Sequence, residues 1–579
     1  MFGGTSKMAD ETFDFIIVGS GGGSMCAALV VKAMGRNPLI LEKTDLFGGT
    51  TAKSGGVMWI PNNRFMARDG VEDSDDKAMT YLDHVVGDHE DTPGATRERR
   101  MAYVAQGPRM VDFLVEQGIK LDRHPYWPDY YADAPGASEQ GRTVVPELFD
   151  ANELGAARAQ LRPNFIAVPI SAREMWKVPL FKTTWAGKLA LLNVALRMMA
   201  SKVNGKHWVT SGAALQGRML QKALQSGVDM RAHAAVERLL MDAAGRVTGV
   251  VARIEGKERT FATRSGVLIN AGGFAHNQAM RDKYQPGTSA EWTATCPGDT
   301  GEMIQEMMRI GAAVAQMDEM VGNQMALPPE QPDKLAMVVS ELAKPHSIIV
   351  DQSGVRYVSE AQSYMSFCQE MLARDKISPA VPSWLVMDSQ YMAKYMVAGT
   401  MPGAKKPQSW FDRGFMMRGD TLKELAAACK MDPVNLVASV ARFNEFARNG
   451  KDDDLHRGHT AYGRFLGDKA HKPSPSLGTI EKPPFYAYRV YPGDVGTYGG
   501  VISDAHAQVL RQDGSVIPGL YATGISTASV MGRVYPGAGA SVGPSFVWGY
   551  VAANHAMNAI HADNIRKTNA ATDAVLVPG

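Results

Sequence analysis

Short apolar runs alternate with glycine-rich and helical stretches near the start of the chain. Residues 14–18 (DFIIV) form a compact apolar run that predicts a buried parallel strand. A glycine run follows at residues 19–24, then a stretch to Met34 that predicts a helix, and then a β-rich run at residues 38–41. This order of strand, glycine-rich turn, helix and strand is the βαβ unit of dinucleotide-binding folds.

The turn after the first predicted strand carries the groups that a nucleotide needs. Gly19 permits the tight turn, Gly21 lets the backbone approach a pyrophosphate, and the helix N-terminus presents free N–H groups to the phosphates. Ser24 stands at the third glycine position of the fingerprint, where a small residue allows close helix–strand packing. Glu42 follows about twenty residues on, where a carboxylate binds a ribose hydroxyl. The alternative is a glycine-rich turn in an unrelated α/β domain. The predicted nucleotide-binding residues here are Gly19, Ser20, Gly21, Gly22, Gly23, Ser24, Glu42 and Lys43.

A second run of small and hydroxyl residues directly after Glu42 favours FAD over NAD. Residues 48–56 (GGTTAKSGG) can wrap backbone amides around a second phosphate and the isoalloxazine edge. Two apolar runs at residues 266–274 and 519–524 end in glycines, and each predicts a strand that ends beside the cofactor, although either alone also fits an ordinary strand and turn. The further candidate FAD-binding residues are Gly48, Gly49, Thr50, Thr51, Ser54, Gly55, Gly56, Ala271, Gly272, Gly273, Gly524, Ser541 and Val542.

Composition narrows the class of protein. The chain has 579 residues, enough for two or more domains, and its net charge of +1 gives no overall field that would draw it to nucleic acid. Its four cysteines are far apart and form no CxxC or CxxCH pattern, so we expect no disulfide, metal site or attached haem, and a reducing compartment.

The absence of a single linker argues for interleaved domains. We expect an α/β protein in which a Rossmann-like FAD-binding domain is interrupted by a smaller α+β catalytic domain. The FAD-binding domain would comprise residues 10–320 and 492–565, and the catalytic domain residues 321–491.

Three further stretches carry a family resemblance: residues 127–135 (WPDYYADAP), 354–364 (GVRYVSEAQSY) and 535–544 (YPGAGASVGP). Together with the glycine-rich loops, they resemble the 3-ketosteroid Δ1-dehydrogenases, a family within the FAD-dependent fumarate reductase and ketosteroid dehydrogenase group. The resemblance covers nearly the whole chain except residues 150–210. The second stretch reads Ser359-Glu360 where the family usually has Asn-Glu.

The resemblance implies a catalytic set and a reaction. The Tyr535 hydroxyl and the Gly539 amide would hold the 3-keto oxygen of a steroid, and Tyr364 would remove a proton from carbon 2. Tyr130 would support this base by hydrogen bonding, with its neighbour Tyr131 as the alternative. The flavin would take hydride from carbon 1, and an external electron acceptor would complete the cycle. A phenol ordinarily has a pKa near 10, and a second phenol that donates to it would lower that value. The expected substrates are 3-ketosteroids, including sterol-derived ketones that keep a side chain.

Three alternatives stay open at this point. A fumarate-reductase-like enzyme would need arginine and histidine to clamp a dicarboxylate, whereas residues 317–327 (MDEMVGNQMAL) are largely apolar and lack both. A flavoprotein that desaturates another position of the steroid rings would share the FAD loops but not necessarily the YPGxG motif. A flavin-binding membrane protein without catalysis is the third alternative.

A basic insert interrupts the region of resemblance. Residues 175–228 contain no Asp or Glu, and within them residues 185–199 predict a helix with an apolar face. That face consists of Leu189, Leu192, Leu196 and Met199, and the flanking aromatic residues are Trp176, Phe181 and Trp185. The basic residues are Lys177, Lys182, Lys188, Arg197, Lys202, Lys206, Arg218 and Lys222.

The basic insert has the character of an interfacial helix. It is too short to span a bilayer, but a basic amphipathic helix with aromatic neighbours suits the surface of an anionic leaflet. We therefore predict a cytoplasmic protein that attaches peripherally to the inner face of the membrane through residues 175–210. The alternatives are a helix packed on the protein with solvated lysines, or an interface with another subunit.

Overall fold

The computed structural model describes residues 9–329 and 335–575, with only the helical backbone for residues 559–575. The strands are β1 (Glu11–Phe13), β2 (Phe15–Val18), β3 (Pro38–Leu41), β4 (Met58–Trp59), β5 (Leu121–Arg123), β6 (Thr143–Pro146), β7 (Phe149–Asp150), β8 (Trp208–Val209), β9 (Asp229–Arg231), β10 (Ala234–Met241), β11 (Val247–Ile254), β12 (Lys257–Thr263), β13 (Val267–Ile269), β14 (Val314–Ala315), β15 (Met320–Ala326), β16 (Ala336–Met337), β17 (Ser347–Val350), β18 (Ser383–Met387), β19 (Met416–Gly419), β20 (Phe485–Thr497), β21 (Gly500–Val501), β22 (Gln508–Leu510) and β23 (Val516–Ala522).

The α-helices lie between and after these strands. They are α1 (Gly22–Ala33), α2 (Gly49–Lys53), α3 (Arg64–Arg68), α4 (Asp75–Val85), α5 (Arg97–Glu116), α6 (Ala172–Met175), α7 (Trp185–Asn204), α8 (Ser211–Gln225), α9 (Gln278–Tyr284), α10 (Glu302–Arg309), α11 (Val339–Leu342), α12 (Tyr364–Asp375), α13 (Ser389–Lys394), α14 (Gln408–Asp412), α15 (Leu422–Cys429), α16 (Pro433–Asn449), α17 (Ala461–Leu466) and α18 (Val542–Val575). Short 3₁₀ helices occupy Pro93–Ala95, Ala151–Gln160, Val178–Leu180, Ala290–Trp292 and Gly524–Ser526.

The predicted βαβ unit lies at the centre of a six-stranded sheet with the order β22-β23-β13-β2-β3-β9. Strand β2 pairs in parallel with β3 and β13, and β13 pairs in parallel with β23. The apolar runs around residues 14–18, 266–274 and 519–524 thus become adjacent strands whose carboxyl ends meet at one edge. Because ligands of parallel α/β sheets bind at that edge, the sheet places the predicted cofactor loops together.

Helix α18 closes one face of this sheet. It packs against α1 at a glycine–glycine contact, where a Cβ on Gly549 would collide with the Gly23 carbonyl. A Cβ on Gly22 would likewise collide with the Phe546 ring. These contacts show why the segment after Gly21 stays glycine-rich: the glycines allow two helices to approach closely, as the fingerprint requires.

A second six-stranded sheet, made mostly from residues between 320 and 497, faces the cofactor edge. Its order is β16-β15-β20-β18-β17, and β19 also pairs with β20. The long strand β20 (Phe485–Thr497) runs through the predicted boundary at residues 491–492. The domain boundaries at residues 10–320, 321–491 and 492–565 therefore stay a prediction.

Two local elements differ from the sequence-based expectation. The segment expected to be a glycine-rich loop after Glu42 contains a short helix, α2, because Gly48 takes the left-handed conformation (φ 113°) and turns the chain into it. The helix expected over residues 185–199 extends to Asn204 and ends at Gly205 in the left-handed conformation, the usual way a helix stops.

Candidate active site

A single cavity of about 710 Å³ runs from the cofactor edge of the first sheet to the second sheet. Sixteen of the predicted FAD-binding residues line it: Gly19, Ser20, Gly21, Glu42, Lys43, Gly49, Thr50, Thr51, Ser54, Gly55, Gly56, Ala271, Gly272, Gly524, Ser541 and Val542. All four predicted catalytic residues, Tyr130, Tyr364, Tyr535 and Gly539, line the same cavity. One continuous space therefore contains the candidate cofactor site and the candidate substrate site.

Glu42 is fixed at one end of this cavity by three hydrogen bonds. The Ser20 hydroxyl donates to one carboxylate oxygen at 2.6 Å, and the amide and hydroxyl of Thr44 donate to the other at 2.9 and 2.8 Å. The Gly48 amide in turn donates to the Ser20 hydroxyl at 3.0 Å. These bonds hold the carboxylate at the cavity wall, and its ribose-binding role stays a prediction.

The glycine turn leaves room for a phosphate. Gly19 has φ +91°, and a Cβ there would collide with the Asn270 carbonyl, so only glycine fits. Gly21 and Gly49 face each other across the cavity mouth, where a Cβ on Gly49 would lie 3.5 Å from the Gly21 Cα. The residues present therefore fit FAD: a side-chain-free phosphate cradle at one end, an anchored carboxylate beside it, and an enclosed space beyond.

Five predicted FAD-binding residues lie behind the cavity wall. Ser24 accepts a hydrogen bond from the Asn270 side chain at 2.9 Å, which is the small-residue packing role expected of it. The Gly273 amide donates to Asp299 at 2.6 Å. Gly22 and Gly23 pack against the segment around residues 545–549, and Gly48 supports Ser20. The structure therefore gives these residues contacts within the fold.

Several residues that line the cavity were not among the predicted cofactor-binding residues. Asn270 and Asp299 line the cavity beside the phosphate cradle, and Cys296 lies near them. Burial raises the pKa of Asp299 to about 7, partly offset by the Gly273 amide that donates to it. Burial also raises the pKa of the Cys296 thiol. Asp299 and Cys296 come from a loop that only the folded topology brings to the cofactor edge, whereas Asn270 lies within the predicted strand at residues 266–274.

The tyrosines predicted to be catalytic come from distant segments and line the same cavity. Tyr130 lies between β5 and β6, Tyr364 begins α12, and Tyr535 precedes α18. The ring centroids of Tyr364 and Tyr535 are 4.9 Å apart, and the Tyr130 ring lies 5.4 Å from Tyr364 and 5.9 Å from Tyr535. The neighbouring Tyr131 points elsewhere, to a hydrogen bond with Ser366 at 2.9 Å. Tyr130 is thus the residue of the pair that meets the other two.

A fourth tyrosine, Tyr462 of α17, belongs to this cluster. Its ring stacks on Tyr130 with centroids 4.1 Å apart, and it also lines the cavity. It is fully buried and no recognisable motif surrounds it in the sequence. A hydrogen-bond partner for Tyr130 was therefore missed by sequence reasoning.

The tyrosine cluster has raised pKa values. Burial first, and then the nearby Tyr130 and Tyr535 phenols, raise the pKa of Tyr364 well above its ordinary value. Burial likewise raises the pKa of Tyr130 and of Tyr535. The expectation that a second phenol would lower the pKa of the base is therefore wrong for the protein alone, because burial and the neighbouring phenols both raise the pKa of Tyr364.

Tyr535 and Gly539 form one local unit. The backbone amides of Gly539 and Ser541 contact the Tyr535 oxygen and partly offset the effect of burial on its pKa. The Tyr535 and Ser541 hydroxyls lie 3.2 Å apart. Gly539 has φ +95°, and a Cβ there would collide with the Val57 carbonyl, so only glycine fits. The Tyr535 phenol and the Gly539 amide therefore lie directly next to each other at the cavity.

An aromatic wall adjoins the tyrosines. Trp127 and Trp176 line the cavity with ring centroids 5.0 Å apart, and Phe465 packs on both at 6.1 and 5.0 Å. Trp176 was expected to flank the membrane helix, and this part of the prediction is wrong: the residue ends α6 and turns inward against Trp127. The sequence pattern could not distinguish an aromatic residue that faces the bilayer from one that faces the cavity.

Comparison with known proteins identifies the family of this chain. A family model described as FAD binding domain matches residues 14–542, which makes the chain an FAD-dependent flavoprotein. The 3-oxosteroid 1-dehydrogenase of Mycobacterium tuberculosis is 38% identical over 566 residues, 95% of this chain and 99% of that protein. A 4-oxocyclohexanecarboxylate 2-dehydrogenase of Sinomonas cyclohexanicum is 35% identical over 562 residues, 94% of this chain and 92% of that protein.

A solved structure is also similar to this chain over nearly its whole length. The 3-ketosteroid delta1-dehydrogenase from Sterolibacterium denitrificans, in complex with 1,4-androstadiene-3,17-dione, matches with a TM-score of 0.89 and 35% sequence identity, over 95% of this chain and 100% of that chain. The chain therefore belongs to the 3-oxosteroid 1-dehydrogenase family. The predicted fold class, cofactor and family are confirmed.

Proposed function

We propose that this chain is an FAD-dependent enzyme that desaturates 3-ketosteroids between carbons 1 and 2. The observation that carries the proposal is the convergence of Tyr130, Tyr364, Tyr535 and Gly539 on the cavity that the FAD-binding loops line. These residues come from three segments that are distant in the sequence. The relatives named above support the same reaction class.

The turn from Tyr535 to Gly539 is the proposed site for the 3-keto oxygen. Carbon 2 becomes acidic only when negative charge can spread onto that oxygen. The Tyr535 hydroxyl and the Gly539 amide would donate to it together, and one such donor is worth roughly 3–4 kcal/mol in other enzymes. Both groups are held in a buried site, where a donor costs little reorganisation as the charge develops.

Tyr364 is the proposed base. Its ring lies beside Tyr535, so its oxygen is close to the carbon next to the polarised carbonyl. The raised pKa means that the resting residue is a neutral phenol at neutral pH, and the proton of carbon 2 moves to the phenolate form. Tyr130 would donate to that phenolate, backed by the stacked Tyr462. Bound FAD supplies the acceptor for the hydride that leaves carbon 1.

The lining of the cavity favours a large apolar ketone. Among the described residues that line it, there is no arginine and no histidine, so a clamp for a dicarboxylate is missing from that part of the chain. The wall next to the tyrosines consists of Trp127, Phe165, Trp176, Met337 and Val339. A steroid ring system matches this wall better than a small ketone with a carboxylate does. We extend the proposal to ketosteroids that keep a carbon-17 side chain.

Anaerobic reduction of the flavin tests the reaction. Mixing the yellow protein with 4-androstene-3,17-dione should bleach the flavin, and the product should carry a new double bond between carbons 1 and 2. Succinate and 4-oxocyclohexanecarboxylate should cause no bleaching. Bleaching by the small ketone alone would overturn the steroid assignment, and a steroid product desaturated at another ring position would overturn the assignment of the bond. Ketosteroids with and without a carbon-17 side chain should both be turned over.

We also propose that α7 binds the protein peripherally to an anionic membrane surface. Trp185, Leu189, Leu192, Leu196, Met199 and Val203 are all at least half exposed and follow one another at intervals of three and four residues, which is a single helix face. The opposite face packs on the protein through Gly187, Ala190 and Val194. Among the described helices none is long and apolar enough to cross a bilayer.

Charge around α7 complements an anionic lipid surface. Lys182, Lys188, Lys202 and Lys206 are exposed, and no acidic residue lies in residues 175–228. Arg197 differs from these lysines because it pairs with Glu174 at 2.9 Å, so its charge is already partnered. Each free basic residue near an anionic leaflet contributes on the order of 1 kcal/mol, to which burial of the apolar face adds.

Vesicle flotation tests the membrane proposal. The wild-type protein should float with phosphatidylglycerol vesicles at low salt and be released by high salt. The triple variant Lys188→Glu, Lys202→Glu, Lys206→Glu should stay unbound yet turn over a soluble ketosteroid normally. The matched control is Lys257→Glu, Lys283→Glu, Lys423→Glu, which makes the same charge change at exposed lysines elsewhere. Failure of the wild type to float, or equal loss in the control, would refute this proposal and favour a subunit interface.

A further inference from the structure

The turn that carries Tyr535 and Gly539 rests on one buried side chain, Trp59 of β4. The Trp59 amide donates to the Gly539 carbonyl at 3.2 Å. A Cβ on Gly537 would collide with the Trp59 indole, so the turn lies directly on that ring. The Tyr103 hydroxyl donates to the Trp59 carbonyl from the other side. Trp59 is itself fully buried and is not part of the cavity wall.

Asp129 holds the indole of Trp59 in place. One of its carboxylate oxygens accepts the indole N–H at 2.7 Å, and the other accepts the Arg142 guanidinium at 2.7 Å and the Ser138 amide at 2.9 Å. Arg142 continues to a second carboxylate, Asp73, at 2.7 Å. Asp129 and Arg142 are 1% and 0% exposed, so this network is shielded from water and its geometry is well defined.

The same carboxylate is directly next to Tyr130. The Tyr130 amide donates to the Pro536 carbonyl at 2.9 Å, and the Tyr81 hydroxyl donates to that carbonyl at 2.6 Å. The turn is therefore attached at Pro536 through Tyr130, which follows Asp129. At Gly537 and Gly539 it is attached through Trp59, whose indole Asp129 binds. Both attachments lead to one buried carboxylate.

We propose that Asp129 and Trp59 are positioning residues that set the distance between the two donors to the keto oxygen and the Tyr130–Tyr364 pair. The inference rests on the proposed function of those groups. Neither Asp129 nor Trp59 lines the cavity, so neither contacts the substrate or the cofactor. Their effect passes through the turn, and a displacement of about 1 Å in a catalytic group can lower a rate by about 10²-fold.

This arrangement predicts a loss in kcat rather than in binding. The steroid rings would contact the aromatic wall, and the indole N–H groups of Trp127 and Trp176 form no hydrogen bond to the Asp129 network among the described residues, so KM should change by less than about 3-fold. The donors act most strongly when charge has developed on the oxygen, so their misplacement is felt in the transition state.

Two variants test the positioning role. Trp59→Phe keeps a buried aromatic ring under the turn, removes the indole N–H that Asp129 accepts and leaves a smaller ring against Gly537. Asp129→Asn keeps the shape of the side chain and removes the charge that Arg142 faces. In each we expect kcat to fall by between about 10- and 100-fold. Stopped-flow mixing should show slower flavin reduction by 4-androstene-3,17-dione and unchanged reoxidation by an artificial dye.

The matched control is Asp388→Asn. Asp388 is equally buried, but it accepts only from Gln390, Tyr391, Glu481 and Lys482, of which none lines the cavity. It should lower thermal stability while leaving the rate of flavin reduction within about 2-fold, as expected of sites without shared partners.

The outcomes separate this inference from the proposed function. Normal flavin reduction in Trp59→Phe, or losses that match the control in proportion to stability, would overturn the positioning role while leaving the reaction intact. A wild-type protein that no ketosteroid reduces would instead refute the proposed function. If Asp129→Asn fails to fold, Trp59→Phe still decides the question.

Discussion

Removal of the Tyr535 hydroxyl separates its role in catalysis from its role in folding. In the folded protein this hydroxyl lies 3.2 Å from the Ser541 hydroxyl and also contacts the Tyr364 hydroxyl and the amides of Gly539 and Ser541. The ring is buried against Tyr364, Tyr130 and Tyr498. Tyr535→Phe keeps the ring contacts and gives up the hydrogen bonds of the hydroxyl, each of which is worth about 0.5–1.5 kcal/mol to stability. The variant should therefore fold and keep its flavin.

The expected effect on the rate is larger than the effect on stability. The substituted site keeps the Gly539 amide and loses the phenol, which is one of two donors to the developing oxyanion. Loss of one such donor lowers kcat by roughly 10²–10³-fold, or about 3–4 kcal/mol. Because the transition-state loss exceeds the loss in stability, partial unfolding cannot mimic it in a protein that stays folded by circular dichroism.

The assay is anaerobic stopped-flow reduction of the flavin across a range of ketosteroid concentrations. Tyr395→Phe is the matched control, because Tyr395 is 1% exposed, its hydroxyl donates to Asp468 at 3.0 Å, and neither residue lines the cavity. The control should reduce its flavin at nearly the wild-type rate. If Tyr535→Phe weakens only substrate affinity and leaves the limiting rate unchanged, the hydroxyl binds the ground state and the enolisation scheme is wrong.

Three further predictions follow from the cavity. Tyr364→Phe should abolish most turnover with little change in steroid binding. In the wild-type enzyme, kcat/KM should rise about tenfold per pH unit from pH 7 to pH 9, because only the phenolate accepts the proton and the pKa of Tyr364 is raised. A flat pH profile would assign the base to another residue. Asp299→Asn should raise the melting temperature above pH 7 but not near pH 4. The pKa of Asp299 rises from 3.8 to about 7 on folding, so the stabilisation that the protonated carboxyl gives is complete at low pH and is lost as the pH rises through about 7. An equal shift in melting temperature at both pH values would contradict this prediction. Acid precipitation should release all the FAD, because burial raises the pKa of the Cys296 thiol and keeps it unreactive; yellow colour in the pellet would show a covalent bond.

Local patterns predicted the parts of the fold that depend on neighbouring residues. The strand–glycine–helix–strand order became β2, α1 and β3 with nearly the expected limits, and Glu42 lies where the spacing required. These features depend on backbone conformation and on the packing of adjacent elements, which a short sequence records directly. The four predicted catalytic residues were found through a family resemblance and not through any spacing.

The remaining parts of the site depend on contacts between distant segments. Tyr462 and Asp299 reach the cavity only because α17 and the loop before α10 are brought there by the topology. The direction of the Tyr364 pKa shift was also missed, since the sequence shows which phenols are present but not how completely they are removed from water. Trp176 shows the same limit, because an aromatic residue in a basic stretch suits a membrane surface and a cavity wall equally well.

Burial has two opposite effects in the proposed mechanism. It disfavours the phenolate form of Tyr364, because a phenolate without surrounding water is unstable and the pKa of the residue rises. It also strengthens the Tyr535 and Gly539 donors, because charge interactions grow in a medium of low dielectric. The donors act on the substrate and make carbon 2 more acidic, so they oppose the cost at Tyr364 only while the keto oxygen stays in reach of both. Rigid support of the turn by Trp59 and Asp129 would therefore allow proton removal in a site without water. A loosened turn would leave the pKa of Tyr364 raised by burial but would weaken the stabilisation of the keto oxygen.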